Sequence, residues 1–398
     1  MSARQRWRTL VFATLAAALP LATTATPARA DTTVTLPTAD PFYTGPDGWE
    51  QTAPGAVLHT RTVQLAPTSV PLPLAATQVL YRTSGQFGEP GVTVATVIRP
   101  PGASGPLRLV SYQSAYDSLG AGCDPSYALR GGGAGTPQDA LIIAGYLAAG
   151  LTVVVSDYEG TDLAYGAGRL SGNATLDGIR AALHTLDAPA GTPVGMSGFS
   201  GGSIATEFAA ELAPAYAPEL NIVGAAAGGM PVDMAATIGY VDGSPQWALV
   251  LPYVMQGAAR GFGLDLTLYL SDYGKDMMAQ IADHCVSDGP QFPGLRLAQL
   301  LRPEYRDYRT IPGFDPILTQ NRMGATGTPN MPLLFGAGNA DHTGDGVIVA
   351  AGARDLTADY RSRGVTVDYI EYPGSNHLLA GAQFAPAAQA FLMSRFAS

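Results

Sequence analysis

A serine flanked by glycines is the first feature of this sequence that could do covalent chemistry. Residues 198–202 read GFSGG, which places Ser200 in a G-x-S-x-G pattern. In a chain with 48 glycines among 398 residues the pattern arises readily by chance, so its surroundings must decide its meaning. Residues 192–197 have the pattern of a buried strand, and residues 203–212 that of a helix. This setting predicts a nucleophilic serine on a strained strand-to-helix turn, with an idle serine in a glycine-rich turn as the alternative.

A serine hydroxyl needs a positioned base to become a nucleophile, and His377 is the best-placed histidine. It follows the last predicted strand, residues 365–372, in a turn-rich loop before a final helix predicted at residues 382–396. The remaining histidines lie early in the chain, in a predicted helix, or in segments with other expected roles. On one sheet-based hydrolase fold the chain order is nucleophile, acid and then base, which also favours His377.

The acid that orients the histidine is expected just after the strand predicted at residues 331–335. The loop there offers two candidates, Asp341 and Asp345. Asp341 is closer to the strand end, whereas Asp345 is followed by the apolar Val347 and Ile348, which can fix its position. We therefore favour Asp345 and expect the other aspartate to serve the turn, as aspartate commonly does in glycine-rich loops.

The elements that must position these residues alternate between strand and helix patterns. Compact apolar strands are predicted at residues 107–112, 151–156, 192–197 and 222–226, with helices at residues 139–149 and 174–186. Such alternation predicts an α/β fold with a mostly parallel central sheet and helices on both faces. Strand-rich runs near residues 57–65, 78–81 and 92–98 precede this region.

The alternation stops near residue 230. Residues 230–311 have helical, methionine-rich and aromatic patterns without a central strand, which predicts an inserted helical cap or lid between core segments 31–229 and 312–398. Extra core helices without a gating role are the alternative. The apolar residues of the region suit an acyl-chain tunnel or the cap's own core: Met230, Met234, Trp247, Leu249, Leu251, Tyr253, Met255 and Phe262.

Residues 1–30 have the layout of a secretory signal peptide. Three arginines precede an apolar run at residues 10–22, and a small-x-small pattern predicts cleavage after Ala30. A single membrane anchor is the alternative, but the run is short and is interrupted by Pro20. No later stretch is apolar enough to predict a transmembrane segment. We therefore expect a secreted, extracellular protein.

Composition limits the partners and cofactors. The net charge is −10 at pH 7 and no basic run occurs, which argues against nucleic acid as a partner. The two cysteines, Cys123 and Cys285, form an even count in a chain bound for an oxidising compartment, which favours a disulfide over two free thiols. Serine-based acyl transfer needs no metal or organic cofactor, so we expect neither.

The sequence resembles the secretory lipase family shared by yeasts and actinobacteria, of the yeast lipase A type. The resemblance rests on the YQ…DS…C-x-PSY block at residues 112–127, on residues 198–202, and on the region from Asp345 to His377. It extends over nearly the whole mature chain, and the blocks are specific when taken together. The family's spacing between acid and base matches Asp345, although the loop from Pro332 to that acid is longer here, which keeps Asp341 as an alternative.

This resemblance implies further features that the residues alone do not. It implies the α/β-hydrolase fold, a helical cap, an oxyanion hole formed by Asp117 and Gly201, and a disulfide between Cys123 and Cys285. The expected function is that of a secreted serine carboxylic-ester hydrolase, a triacylglycerol lipase with an acyl-enzyme on Ser200. Lipid or ester small molecules are the expected substrates, with contact to a lipid–water interface. A short-chain esterase or acyltransferase on the same fold and a secreted serine peptidase are the alternatives.

Overall fold

The computed structural model describes residues 34–133 and 137–397. The predicted signal peptide, residues 1–30 with its cleavage after Ala30, lies outside the described residues. Within the described part of the chain, none of the helices has both the length and the apolar character needed to span a bilayer.

The described residues contain nine strands that join in one sheet. They are β1 Val57–Gln64, β2 Ala75–Ser84, β3 Pro90–Ile98, β4 Leu109–Gln113, β5 Thr152–Ser156, β6 Val194–Phe199, β7 Ile222–Gly228, β8 Leu333–Asn339 and β9 Val367–Pro373. The order across the sheet is β1-β2-β3-β5-β4-β6-β7-β8-β9. The pairings from β1 to β5 are antiparallel, and those from β5 through β4 to β9 are parallel. The prediction of a mostly parallel sheet is confirmed.

Helices cover both faces of this sheet. Their bounds are α1 Pro125–Ala128, α2 Pro137–Ala148, α3 Gly168–Thr185, α4 Gly201–Tyr216, α5 Met234–Val241, α6 Val250–Gly261, α7 Asp272–Ile281, α8 Leu297–Leu300, α9 Phe314–Gln320, α10 Ala350–Ser362 and α11 His377–Phe396. Side chains alternate along a strand, so Val154 of β5 packs in the core shared with α3, α4 and α10. Its neighbours Val153 and Val155 pack in the core on the other face, with α2 and α11.

The chain between β7 and β8 carries α5 to α9 and has a hydrophobic cluster of its own. Met234, Leu251 and Met255 belong to that cluster, and Phe314 of α9 packs in it as well. Val347 and Ile348, from the loop after β8, join the same cluster. The insertion therefore packs directly against the loop that contains the candidate acids. A lid role for residues 230–311 stays a prediction.

A disulfide joins Cys123 and Cys285, as predicted. It links the loop after β4 to the segment between α7 and α8, across 162 positions of the sequence. The Leu119 N–H donates to the His284 carbonyl at 3.1 Å beside it. The bond thus fixes the insertion to a core loop.

Candidate active site

Ser200 lies on the turn between β6 and α4, in the setting that its sequence context predicts. Its φ is +56° and its ψ is −126°, a region that non-glycine residues rarely adopt. Its backbone N–H donates to the Gly228 carbonyl at 2.9 Å, which holds the turn in place. Such strained backbone at a turn persists only where the surrounding structure fixes it, and it presents the hydroxyl above the sheet.

Other parts of the chain approach both glycines after the serine closely. A Cβ on Gly202 would lie 2.1 Å from the Gln113 carbonyl oxygen of β4. A Cβ on Gly201 would lie 1.6 Å from the Asp117 Oδ1 atom. Both distances are far inside van der Waals contact. At position 202 the obstacle is backbone, so only glycine fits there, whereas at position 201 a Cβ would displace the Asp117 carboxyl group.

His377 connects the serine to an aspartate. Its Nε2 atom lies 2.7 Å from Ser200 Oγ, and its Nδ1 atom lies 2.7 Å from Asp345 Oδ2. The second carboxylate oxygen of Asp345 accepts backbone N–H groups from Val347 at 2.9 Å and Ile348 at 2.7 Å. An acceptor-only carboxylate in this position places the imidazole proton on Nδ1, which leaves Nε2 free to accept the serine proton.

Burial keeps the aspartate and the histidine of this hydrogen-bond chain from water, whereas Ser200 is partly exposed. Asp345 is 1% exposed and His377 is 4% exposed. The backbone N–H of His377 also donates to the backbone carbonyl of Asp345 at 2.9 Å. The acid and the base are therefore joined through both backbone and side chain. The arrangement can move a proton from the serine to the histidine while the carboxylate stabilises the resulting imidazolium.

The start of the last helix differs from the sequence expectation. We expected His377 in a loop before a helix at residues 382–396, whereas α11 begins at His377 itself. The reason is an N-cap: the Asn376 side chain accepts the Leu379 N–H at 3.0 Å. The histidine is therefore the first residue of the helix, directly after its N-cap.

Asp341, the alternative acid, stabilises the turn that it begins. Its Oδ1 atom accepts N–H groups from Thr343 at 2.8 Å and Gly344 at 2.9 Å, and its Oδ2 atom accepts the Tyr240 hydroxyl at 2.8 Å. These bonds, led by the one from Gly344, lower the pKa of Asp341. Of the two aspartates, the structure brings Asp345 to the histidine.

Asp117 and Gly201 lie side by side next to the serine. Asp117 has a φ of +42°, and its buried Oδ1 atom has no hydrogen-bond partner among the described residues. Burial raises the pKa of Asp117 to about 7; Asp139 adds to this rise, whereas His377 and Tyr165 oppose it. A neutral carboxyl group carries a proton that it can donate, so this side chain and the Gly201 N–H are available to an oxyanion.

The cavity above the serine is small and apolar. Its volume is about 70 Å³, and the cap residues Met234, Trp247 and Leu251 line it. The Trp247 ring meets the His377 ring edge-on, with centroids 5.6 Å apart. The other apolar residues singled out from the sequence pack elsewhere, for example Met255 and Phe262 in the insertion's own cluster.

Sequence reasoning missed two residues at the site and one contact of a third. Trp247 was assigned to the cap without its contact to the base, and neither Tyr165 of the cavity wall nor Tyr240 was singled out. Each contacts its partner across a long separation in sequence, so no local pattern could have found it.

Metal-ligand side chains come close enough to share an ion at one place in the described part of the chain, at Cys123, Cys285 and Asp288. The two cysteines there are joined in the disulfide, so they offer no thiolate to a metal.

Comparisons with known proteins identify the family of this chain. The family model for secretory lipases matches residues 130–398. Lipase A of Arthroderma benhamiae is 34% identical over 383 residues, which cover 90% of this chain and 79% of that protein. A Mycobacterium tuberculosis protein named a probable inactive lipase is 33% identical over 377 residues, 91% of this chain and 83% of its own.

The crystal structure of Candida antarctica lipase A in its closed state is similar over 91% of this chain and 86% of that one. The TM-score is 0.81 and the sequence identity is 30%. The fold is therefore that of the α/β-hydrolases, and the activity class is that of lipases and esterases, hydrolases whose substrates are lipids or other esters. This chain belongs to the secretory lipase family, whose members are secreted proteins.

Proposed function

We propose that this protein is a triacylglycerol lipase that forms an acyl-enzyme on Ser200, with His377 as base and Asp345 as acid. The observation that carries the proposal is the hydrogen-bond chain from serine to histidine to aspartate, with 2.7 Å at each link. The strand-to-helix turn, the buried carboxylate and the family membership support the same assignment.

In the acylation step, Ser200 Oγ attacks the ester carbonyl carbon while His377 Nε2 takes its proton. A C–O bond forms, and the carbonyl oxygen becomes an oxyanion. The C–O bond to the leaving alcohol then breaks, and the imidazolium returns its proton to that alcohol. Asp345 stays ionised throughout and stabilises the imidazolium.

In the deacylation step, water takes the place of the leaving alcohol. His377 removes a proton from the water, whose oxygen attacks the acyl-enzyme carbonyl carbon. The bond to Ser200 Oγ breaks, the serine regains its proton from the imidazolium, and the carboxylic acid leaves.

The oxyanion of both steps is stabilised by Gly201 and Asp117. The Gly201 N–H stands at the N-terminus of α4, where the helix dipole favours negative charge. The neutral Asp117 carboxyl donates the second hydrogen bond. An ionised Asp117 would repel the oxyanion and donate nothing, so this role requires the protonated form.

Substrate size requires the insertion to move. Ligand pockets commonly measure about 300–1,000 Å³, whereas this cavity measures about 70 Å³. A long acyl chain therefore needs space that opens when residues 230–311 shift as a lid. Because the cavity wall is apolar, an opened lid would expose apolar surface, which favours contact with a lipid–water interface.

The small cavity favours a second candidate, a short-chain esterase whose insertion stays in place. Hydrolysis of p-nitrophenyl esters from acetate to palmitate separates the two. A lipase is expected to retain activity on the long esters, whereas activity confined to acetate and butyrate would favour the esterase. The Ser200→Ala variant is expected to lose hydrolysis of every ester, and its retention of full activity would contradict the mechanism.

We also propose the site at which the signal peptide is cleaved. Residues 1–30 are removed after Ala30 as a signal peptide, as their charged, apolar and small-residue segments indicate. Amino-terminal sequencing of the secreted protein is expected to begin at Asp31. A protein that begins at Met1 would contradict this cleavage.

A further inference from the structure

One side chain of the insertion contacts the loop that carries the candidate acid. The Tyr240 hydroxyl of α5 donates to Asp341 Oδ2 at 2.8 Å and accepts the Gly346 N–H at 3.0 Å. Gly346 directly follows Asp345 in the chain. A single hydroxyl thus joins the two ends of the turn from residue 341 to residue 346.

The directions of these bonds are set by charge. Asp341 is exposed, and three hydrogen bonds lower the pKa of its carboxyl group, so it is an anionic acceptor. The Tyr240 proton therefore points to Asp341, and an oxygen lone pair is left for the Gly346 N–H. The ring also packs on the turn, since a Cβ on Gly344 would lie 3.1 Å from Tyr240 Cε1.

The residue that Tyr240 binds, Gly346, is a glycine within the turn that follows the acid. Gly346 has a φ of +101°, and the N–H groups of the next two residues bind Asp345 Oδ1. A rotation at Gly346 would move both donors and release the carboxylate. Trp247 packs on the same glycine, with its Nε1 atom 3.3 Å from where a Cβ would lie. The insertion therefore contacts Gly346 through two side chains, Tyr240 and Trp247.

We propose that Tyr240 is a positioning residue for Asp345. It acts through Gly346, so the orientation of the acid depends on a residue of the insertion rather than on the core alone. Asp341 assists by orienting the tyrosine hydroxyl, which gives the alternative acid a part in the site without contact with the histidine. This inference rests on the proposed triad, because positioning matters only if Asp345 is the acid.

The test is the Tyr240→Phe variant, assayed with p-nitrophenyl butyrate, a small ester. The variant keeps the ring and loses both hydrogen bonds. We expect kcat to fall about tenfold with KM nearly unchanged, because a small misplacement of a catalytic group slows chemistry more than binding. The proton between His377 Nδ1 and Asp345 should also change its downfield proton NMR resonance. If Tyr240 had a merely structural role, its replacement would not lower kcat selectively and would leave this resonance unchanged.

Tyr269→Phe is the matched control, since this tyrosine also belongs to the insertion and its ring meets the Tyr305 ring edge-on. It should leave kcat and the resonance as in the unaltered protein. The proposal is overturned if Tyr240→Phe keeps full kcat and an unchanged resonance. It is also overturned if the variant only raises activity on long esters, because Tyr240 would then hold the insertion closed rather than position the acid. Failure of the proposed triad is distinguished by Ser200→Ala and Asp345→Asn, because at least one of these variants would then keep its activity.

Discussion

The replacement of Asp117 by asparagine tests the oxyanion hole through pH. Burial raises the pKa of Asp117 to about 7, so its proton is present below that pH and is lost as the pH rises through it. Asparagine has the same shape and can donate from its amide, but it does not titrate. The unaltered protein should therefore lose a donor on the alkaline side, whereas Asp117→Asn should not.

The size of this loss follows from the titration. With a pKa of about 7, the neutral fraction of Asp117 is about one tenth at pH 8 and about one hundredth at pH 9. Because kcat/KM reports the free enzyme, it should fall by these factors. The fall has a ceiling of about 10²–10³, the cost of losing one oxyanion donor.

The assay is kcat/KM for p-nitrophenyl butyrate between about pH 5 and pH 9.5, corrected for spontaneous hydrolysis. We expect the two profiles to cross, with Asp117→Asn the faster enzyme at the alkaline end. Asp162→Asn, the same change at an exposed position, should follow the unaltered protein. A flat alkaline profile in the unaltered protein, or a parallel fall in Asp117→Asn, would refute the reasoning.

Three further changes have defined outcomes. Asp345→Asn should lower kcat by about 10⁴ through the wrong histidine tautomer, and Asp341→Asn by about tenfold or less; equal losses would contradict the assignment of the acid. Replacing Cys123 and Cys285 by serine should lower the free energy of unfolding by about 4 kcal/mol, and an unchanged urea midpoint would oppose this. Gly201→Ala should lower kcat by up to about 10²–10³, the cost of one oxyanion donor, because its Cβ would displace the Asp117 carboxyl group; full activity would contradict the role of Asp117.

Much of the fold could be predicted because its signals are local. Buried parallel strands are short apolar runs, and they recur in alternation with helical patterns, so the sheet was recognisable without a template. Ser200 could be placed for the same reason, since strand, turn and helix are adjacent in sequence. The order of serine, acid and base then narrowed the search for His377 to one loop.

The parts that could not be predicted depend on contacts between distant residues. Tyr240 reaches Asp341 across 101 positions of the sequence, and Trp247 meets His377 from a separate segment. The start of α11 was placed too late because the Asn376 cap lies in a turn-rich run that reads as loop. The sequence favoured Asp345 over Asp341, but both lie in the same glycine-rich segment, so only the geometry shows which aspartate contacts the histidine.

The central claim, that Ser200 is the nucleophile, is tested most directly by covalent labelling. A p-nitrophenyl phosphonate ester should add one phosphonyl group per chain, abolish ester hydrolysis in proportion, and appear by peptide mass spectrometry on Ser200. The Ser200→Ala variant should take up no label. Label on another residue together with loss of activity, or full hydrolysis by Ser200→Ala, would contradict the account.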